Sequence, residues 1–267
     1  MAPASQPAPA LGGCYVISLR PVGGHAGTRR AAAAHGARTV ALSPWRLVPR
    51  TPADALPALR AALAAPIAIF TSPAAVGAAA SMARLAPGRG QLRLAVGATT
   101  GAALRRAGVP APVFPRRMDS EGLLELAELQ DVAGLEIGLV TAPEGRSHLT
   151  LSLQERGARV LRADVYDRVP ASPSPQALAR LRALPADAPL LLALSSGLAL
   201  ESVLDALPGD VAARLRGARV LAASARLADL ARARGFTDVV EAADARPASL
   251  LDAAVRARST SRQRGGR

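Results

Sequence analysis

The chain has 267 residues, half of them apolar and 2% aromatic, with a net charge of +13. That length and apolar share support one large or two modest packed domains and exclude wholesale disorder. The scarcity of rings excludes a base-stacking platform for single-stranded nucleic acid.

The opening "MAPASQPAPALGG" has no basic stretch followed by an apolar core, so it is not a secretory signal and reads as a mobile Pro/Ala-rich lead-in. Short apolar runs then predict strands at 15–19, 39–42, 67–70, 92–96, 137–140, 160–163, 190–194 and 220–223. Between them, periodic segments predict helices around 31–35 and at 53–64, 74–84, 100–107, 121–129, 148–156, 176–183, 198–207, 224–234 and 248–256. Such alternation predicts an α/β fold of parallel sheets covered by helices on both faces. The chain closes on Arg256, Arg258, Arg262, Arg264 and Arg267, which read as a solvated tail.

All 33 basic residues are arginine. This reads either as the codon bias of a GC-rich coding sequence or as affinity for an anionic partner, because guanidinium forks match carboxylate and phosphate oxygens. One cysteine, Cys14, allows no internal disulfide and points to a reducing, cytoplasmic compartment. His25, His35 and His148 are scattered and no HExxH or CxxC occurs, so a structural metal site has no basis. The longest apolar stretch, 189–200, is too short to span a bilayer.

The chain also repeats itself. "HGARTVALSPW" lines up with "RGARVLRADVY", "IFTSPAAVGAA" with "ALSSGLALESV", "AVGATTGAALRRAGV" with "VLAASARLADLARARGF", and "EGLLELAEL" with "PASLLDAAV". The four matches keep their order and lie about 121 to 126 residues apart, which implies two related halves, roughly 15–130 and 136–256.

In open parallel sheets ligands bind beyond the carboxyl ends of the strands. Those ends carry Thr71, Ser72 and Pro73; Gly97, Ala98, Thr99 and Thr100; Ser195, Ser196 and Gly197; and Ser224 with Arg226. Helix N-termini there offer free N–H groups and a dipole that favours anions. Each hydroxyl taken alone reads first as an ordinary helix cap. Both halves, however, carry the same set at the same mouths. Other chemistries find no support. "VGGHAGT" lacks the Lys-Ser/Thr of a phosphate loop, and neither GxGxxG nor GxSxG occurs. Glu144 and Asp164 offer carboxylates for catalysis but read first as solvated surface groups.

"IFTSPAAV", "AVGATTGAALRRAGV", "DSEGLLEL", "GRSHLTLSLQERGARVLRADVYDRVP" and "ASARLADLARARGF" resemble, in order and spacing, the bacterial branch of the uroporphyrinogen-III synthase family, across about 15–256. The resemblance implies two parallel-sheet α/β domains joined by a two-stranded linker, with a cleft between them. One domain would combine 15–43 with 171–256 and the other would span 47–165. Segments 44–46 and 165–170 would be linker strands, and 1–14 and 257–267 flexible tails. The implied activity is a cofactor-independent cyclising lyase. It closes hydroxymethylbilane, a linear octacarboxylate tetrapyrrole, to uroporphyrinogen III with inversion of ring D and loss of water, in haem biosynthesis. A monomer with no nucleic-acid or membrane partner is implied as well.

Carried onto this sequence, Tyr166 in "VYDR" is the candidate catalytic residue: a tyrosine hydroxyl is protonated at neutral pH and can donate to a departing hydroxyl. A linker tyrosine that packs its ring is the alternative. Arg20, Thr71, Ser72, Thr99, Thr100, Arg146, Ser195 and Ser224 are the candidate substrate-binding residues, with a surface ion pair as the alternative for Arg146. The chain departs from the family pattern at Leu19, where Thr is usual, and at "AASAR", where a fuller Gly-x-x-Thr turn is usual. A non-catalytic two-lobed protein for a small polyanion would show the same mouths without turnover. A nucleic-acid binder would depend on the basic tail.

Overall fold

The computed structural model describes residues 9–143 and 147–264. In chain order its elements are β1 (Tyr15–Ser18), α1 (Ala26–Ala34), β2 (Arg38–Ala41), β3 (Trp45–Pro49), α2 (Pro52–Ala64), β4 (Ile67–Phe70), α3 (Pro73–Ala80), β5 (Leu92–Ala95), α4 (Ala98–Arg106) and α5 (Ser120–Leu124). After a 3-10 turn, Ala127–Leu129, follow β6 (Glu136–Thr141), α6 (Ser147–Glu155), β7 (Arg159–Asp164), β8 (Tyr166–Pro170), α7 (Pro175–Arg182), β9 (Leu190–Leu194), α8 (Gly197–Ala206), α9 (Gly209–Arg216), β10 (Arg219–Ala222), α10 (Ala225–Ala233), β11 (Val239–Glu241) and α11 (Pro247–Arg264).

Several helices start where the side chains dictate. Thr51, Ser72, Ser174 and Ser196 each accept the N–H of the third helical residue, and proline opens α2, α3 and α7, where its missing donor costs nothing. Helices α4 and α10 end before Gly108 and Gly235, both at positive φ, which relieves the left-handed turn back toward the next element.

Contacts divide the chain into two compact units, Met1–Arg46 with Pro170–Arg267, and Leu47–Val169. The chain crosses from one to the other within β3 and β8, which pair with each other. Ala171 donates its N–H to the Pro44 carbonyl, and Arg50 donates its N–H to the Val165 carbonyl, both at 3.0 Å, an antiparallel pattern.

The first unit holds a parallel sheet in the order β11-β10-β9-β1-β2. Strand alternation divides its core. Ile17, Leu192, Leu194 and Val220 face one layer with Leu200, Val203, Leu215 and Leu227. Val16, Leu191 and Leu221 face the other, with Ala32, Leu250, Leu251 and Ala254. The second unit holds a parallel sheet in the order β5-β4-β6-β7. Ala68, Phe70 and Val140 meet Leu59, Val76 and Leu104 on one face, while Ile69, Ile137 and Leu139 meet Leu123, Leu149 and Leu153 on the other. Layers of helices on both faces of a parallel sheet are the α/β architecture that the alternation predicts.

The sequence repeat is legible in these sheets. The aligned segments equate β2 with β7, β4 with β9 and β5 with β10. The four strands β10-β9-β1-β2 of one sheet therefore match β5-β4-β6-β7 of the other, position for position.

The structure corrects several expectations. Helix 74–84 stops at Ala80, because the Ser81 hydroxyl bonds the Ala78 carbonyl at 2.8 Å and Met82 tightens the last turn onto Ala79. Helix 121–129 is broken: Leu126 is extended, and the Leu124 carbonyl takes its bonds from the Gln130 and Arg156 side chains, at 2.7 and 2.8 Å. Helix α9 and the three-residue strand β11 went unpredicted, and β3 runs to Pro49, beyond the expected 44–46. Residues 9–14 and 257–264 are more structured than flexible tails would be. Leu11 and Cys14 are buried, and Leu11 donates its N–H to the His35 carbonyl at 2.9 Å. Helix α11 continues to Arg264, and the Arg258 guanidinium bonds Cys14 Sγ at 3.1 Å.

Candidate active site

In an open α/β sheet the natural crevice lies at the carboxyl edge where the strand order reverses. In the first unit the chain goes from β1 to β2 on one side, and its later strand β9 pairs on the other side of β1. The reversal falls between β1 and β9. Arg20 follows β1 and Ser195 follows β9, and the Arg20 guanidinium donates to Ser195 Oγ at 3.4 Å. In the second unit the order reverses between β4 and β6. Thr71 follows β4 and Thr141 ends β6, and Thr71 Oγ1 donates to Thr141 Oγ1 at 2.9 Å. Each reversal is bridged by a polar side-chain contact between equivalent positions of the repeat.

The surroundings of these bridges differ. In the second unit, Ser72 caps α3, accepting the Ala75 N–H at 3.1 Å, and its hydroxyl also lies 3.2 Å from the Tyr166 hydroxyl. The Tyr166 ring is 5% exposed and packs in the core layer with Phe70 and Val165. The ring therefore packs, as the alternative reading of Tyr166 has it, while its hydroxyl meets Ser72 just beyond β4. Two hydroxyl protons serve one bond between Ser72 and Tyr166, so one proton remains for a third group.

At the next strand end Gly97 occupies the N-cap of α4 with no side chain to satisfy the first N–H groups. A Cβ there would meet Met118 at 3.0 Å, and the Met118 sulfur accepts the Ala98 N–H at 3.5 Å in place of a cap side chain. Thr99 and Thr100 lie inside α4 rather than in the turn before it. Thr99 is exposed, whereas Thr100 is 3% exposed and its side chain faces the interior.

In the first unit the capping reading and the binding reading also separate. Ser196 caps α8, accepting the Ala199 N–H at 3.3 Å, which leaves Ser195 to Arg20. Ser224 stands at the N-cap of α10 with an extended backbone, yet it makes no side-chain cap bond and is exposed. Because β10, β9 and β1 are adjacent, Ser224, Ser195 and Arg20 follow neighbouring strands along one edge. Arg20 is largely exposed, but desolvation on its protein-facing side lowers its pKa below that of an ordinary arginine. Among the described residues it has no carboxylate partner.

Sequence reasoning missed Thr141, the buried Ser18 and His25, and Ser43. His25 Nδ1 lies 2.9 Å from Ser18 Oγ and its Nε2 lies 2.9 Å from Ser43 Oγ. Only the position of Ser18 and Thr141 at the ends of apolar runs could have marked them. Arg146 and Glu144 lie outside the described residues. Asp164 pairs with Arg162 at 3.0 Å. A cavity of about 590 Å³ in the first unit opens at the opposite edge, beside Cys14, Leu190, Arg219 and Asp238. It lies at the amino ends of the strands, away from the edge where helix N-termini gather. Among the described residues no group of three or more His, Cys, Asp or Glu could hold a metal, and no helix is long and apolar enough to cross a membrane.

The family model described as "HEM4: Uroporphyrinogen-III synthase HemD" matches residues 27–252. No curated protein matches the chain significantly. Among solved structures, a mutant uroporphyrinogen III synthase from Thermus thermophilus is similar with a TM-score of 0.59 and 20% identity, covering 92% of this chain and 99% of its own. Uroporphyrinogen-III synthetase from Helicobacter pylori is similar with a TM-score of 0.54 and 14% identity, covering 91% and 98%. At such identities these two likenesses speak for the fold, and the matched family model speaks for the family. With that match spanning residues 27–252, the chain belongs to the uroporphyrinogen-III synthase family.

Proposed function

We propose that the family's reaction, closure of hydroxymethylbilane to uroporphyrinogen III with inversion of ring D and loss of water, is carried by the residues at the two strand-order reversals. Arg20 holds a substrate carboxylate. Its guanidinium engages only the neutral Ser195 among the described residues, so its charge stays available. Partial desolvation strengthens what such a charge gains from a bound carboxylate. Ser195, Ser224 and Thr99 add hydroxyl donors, and the first turn of α4, where only the weak acceptor Met118 Sδ meets the Ala98 N–H, adds backbone donors suited to further carboxylates. Tyr166, with Ser72 behind it, donates its proton to the departing hydroxyl. Thr71 is engaged with Thr141 and shapes the mouth beside them.

Strong acids or bases are not required. The substrate is reactive by itself, so the protein's task is to hold it in the geometry that leads to the rearranged ring. The observation that carries this reading is the pair of equivalent polar bridges, Arg20–Ser195 and Thr71–Thr141, one at each reversal. We place the working protein in the cytoplasm, in keeping with its single free cysteine, and as a monomer, in keeping with the family resemblance.

Arg20→Ala is expected to raise KM for hydroxymethylbilane about 30-fold, the value of roughly 2 kcal/mol for a charged hydrogen bond, with kcat changed far less. Steady-state kinetics check this. An unchanged KM in the folded variant would remove Arg20 from substrate binding.

A further inference from the structure

We propose that His25 is a positioning residue for Arg20: its imidazole, held between Ser18 and Ser43, fixes the turn that carries the guanidinium. The inference rests on the reading of Arg20 as a carboxylate-binding residue.

The turn runs from the end of β1 to the start of α1, and His25 closes it. His25 occupies the N-cap position of α1, but its side chain does not cap the helix. The side chain turns inward instead, leaving the residue 4% exposed. Its two nitrogens reach Ser18, two residues before Arg20 on β1, and Ser43, in the segment after β2, each at 2.9 Å. The ring thus ties the far end of the turn to its own beginning and to the neighbouring strand. Two backbone bonds complete the clamp: Val22 donates its N–H to the Trp45 carbonyl at 3.0 Å, and Gly24 donates to the Pro21 carbonyl at 2.8 Å. What the clamp determines is the direction in which Arg20 leaves β1, and that direction brings the guanidinium to Ser195 across the strand-order reversal.

A histidine suits this place. A neutral imidazole offers one donor and one acceptor, and a serine hydroxyl can supply the complement of either. Both nitrogens are therefore satisfied in either tautomer. The charged groups that bear on the ring are both cations. Burial, then Arg29, then Arg20 lower its pKa below that of an ordinary histidine. The ring is therefore uncharged at neutral pH, and its part in the reaction is geometric rather than a proton transfer.

A residue that only stabilises the fold would behave differently from one that acts through Arg20, and a double-mutant cycle separates the two. The measurements are kcat, KM and the thermal transition of the full chain carrying His25→Gln, Ser43→Ala, Arg20→Ala and each of the first two combined with Arg20→Ala. His25→Gln is expected to raise KM about tenfold and Ser43→Ala about threefold, with kcat within about twofold. In the Arg20→Ala background both effects shrink below about 1.5-fold, because no guanidinium remains to be positioned. Ser43→Thr keeps the hydroxyl and keeps KM. If His25→Gln does not fold, Ser43→Ala carries the cycle alone, since Ser43 is only half-buried. An equal rise in KM with and without Arg20, or no rise in a folded variant, overturns the positioning role. An unchanged KM in Arg20→Ala alone overturns the reading of Arg20 and the proposal with it.

Discussion

Gly138→Ala is expected to cost the second unit roughly 3–5 kcal/mol and to lower its melting temperature by about 10 °C or more. Gly138 lies in the middle of β6, paired with Ala68 on β4 and Leu161 on β7. A Cβ at this position would sit 2.0 Å from the Ala62 carbonyl oxygen and 2.8 Å from the Ala62 Cα. Those atoms are the backbone of α2, so no rotamer change relieves the collision. Either α2 lifts off the sheet or the strand shifts, and both break the packing of Leu59 and Ala62 in the core. Gly77→Ala is the matched control. Gly77 is exposed in the middle of α3, and an added methyl would have nothing within 4 Å of it. There alanine is expected to stabilise by about 0.5–1 kcal/mol through helix propensity alone. Thermal unfolding of both variants checks the pair, and a Gly138→Ala protein as stable as the parent would contradict the close approach of α2 to β6.

Tyr166→Phe carries the largest expected effect on kcat. The ring is retained in the core, and Ser72 keeps its capping bond to Ala75, so the stability loss is about 1 kcal/mol, that of one hydrogen bond. The proton offered to the departing hydroxyl is lost. General acids commonly contribute about 10²–10⁴-fold. Here the leaving group is already labile, so a fall in kcat of about tenfold or more is expected, with KM little changed. Ser72→Ala should be milder in kcat but costlier to the fold, because that hydroxyl both caps α3 and meets Tyr166. Unchanged kcat in folded Tyr166→Phe would take the phenol out of the mechanism.

Much of this fold is legible in the residues because its strands are apolar runs bounded by small turns. The run "LLLAL" is buried at every position of β9, and "IAIF" at every position of β4. The internal repeat also reaches further than single strands, since it foreshadows the matched order of the two sheets. Other features leave no local mark. Arg93 in "LRLA" looks like an outward-facing strand residue, yet it is 3% exposed, with its guanidinium on the carbonyls of Leu85 and Leu63. Strand β11 is too short to show a period. The clamp at His25 joins residues 7 and 18 positions apart through a turn whose path only the folded sheet sets. For the hydroxyls at the strand ends, the residues alone read first as caps and then as ligand donors. Ser72 and Ser196 do cap their helices, while Ser195 and Ser224 make no side-chain cap bond, a difference set by the local backbone that the sequence does not show.

The most direct test generates hydroxymethylbilane in the presence of this protein and resolves the uroporphyrin isomers formed. Isomer III as the dominant product, in proportion to the amount of protein added, is the result expected here. Isomer I alone, the product of unassisted closure, would contradict the account.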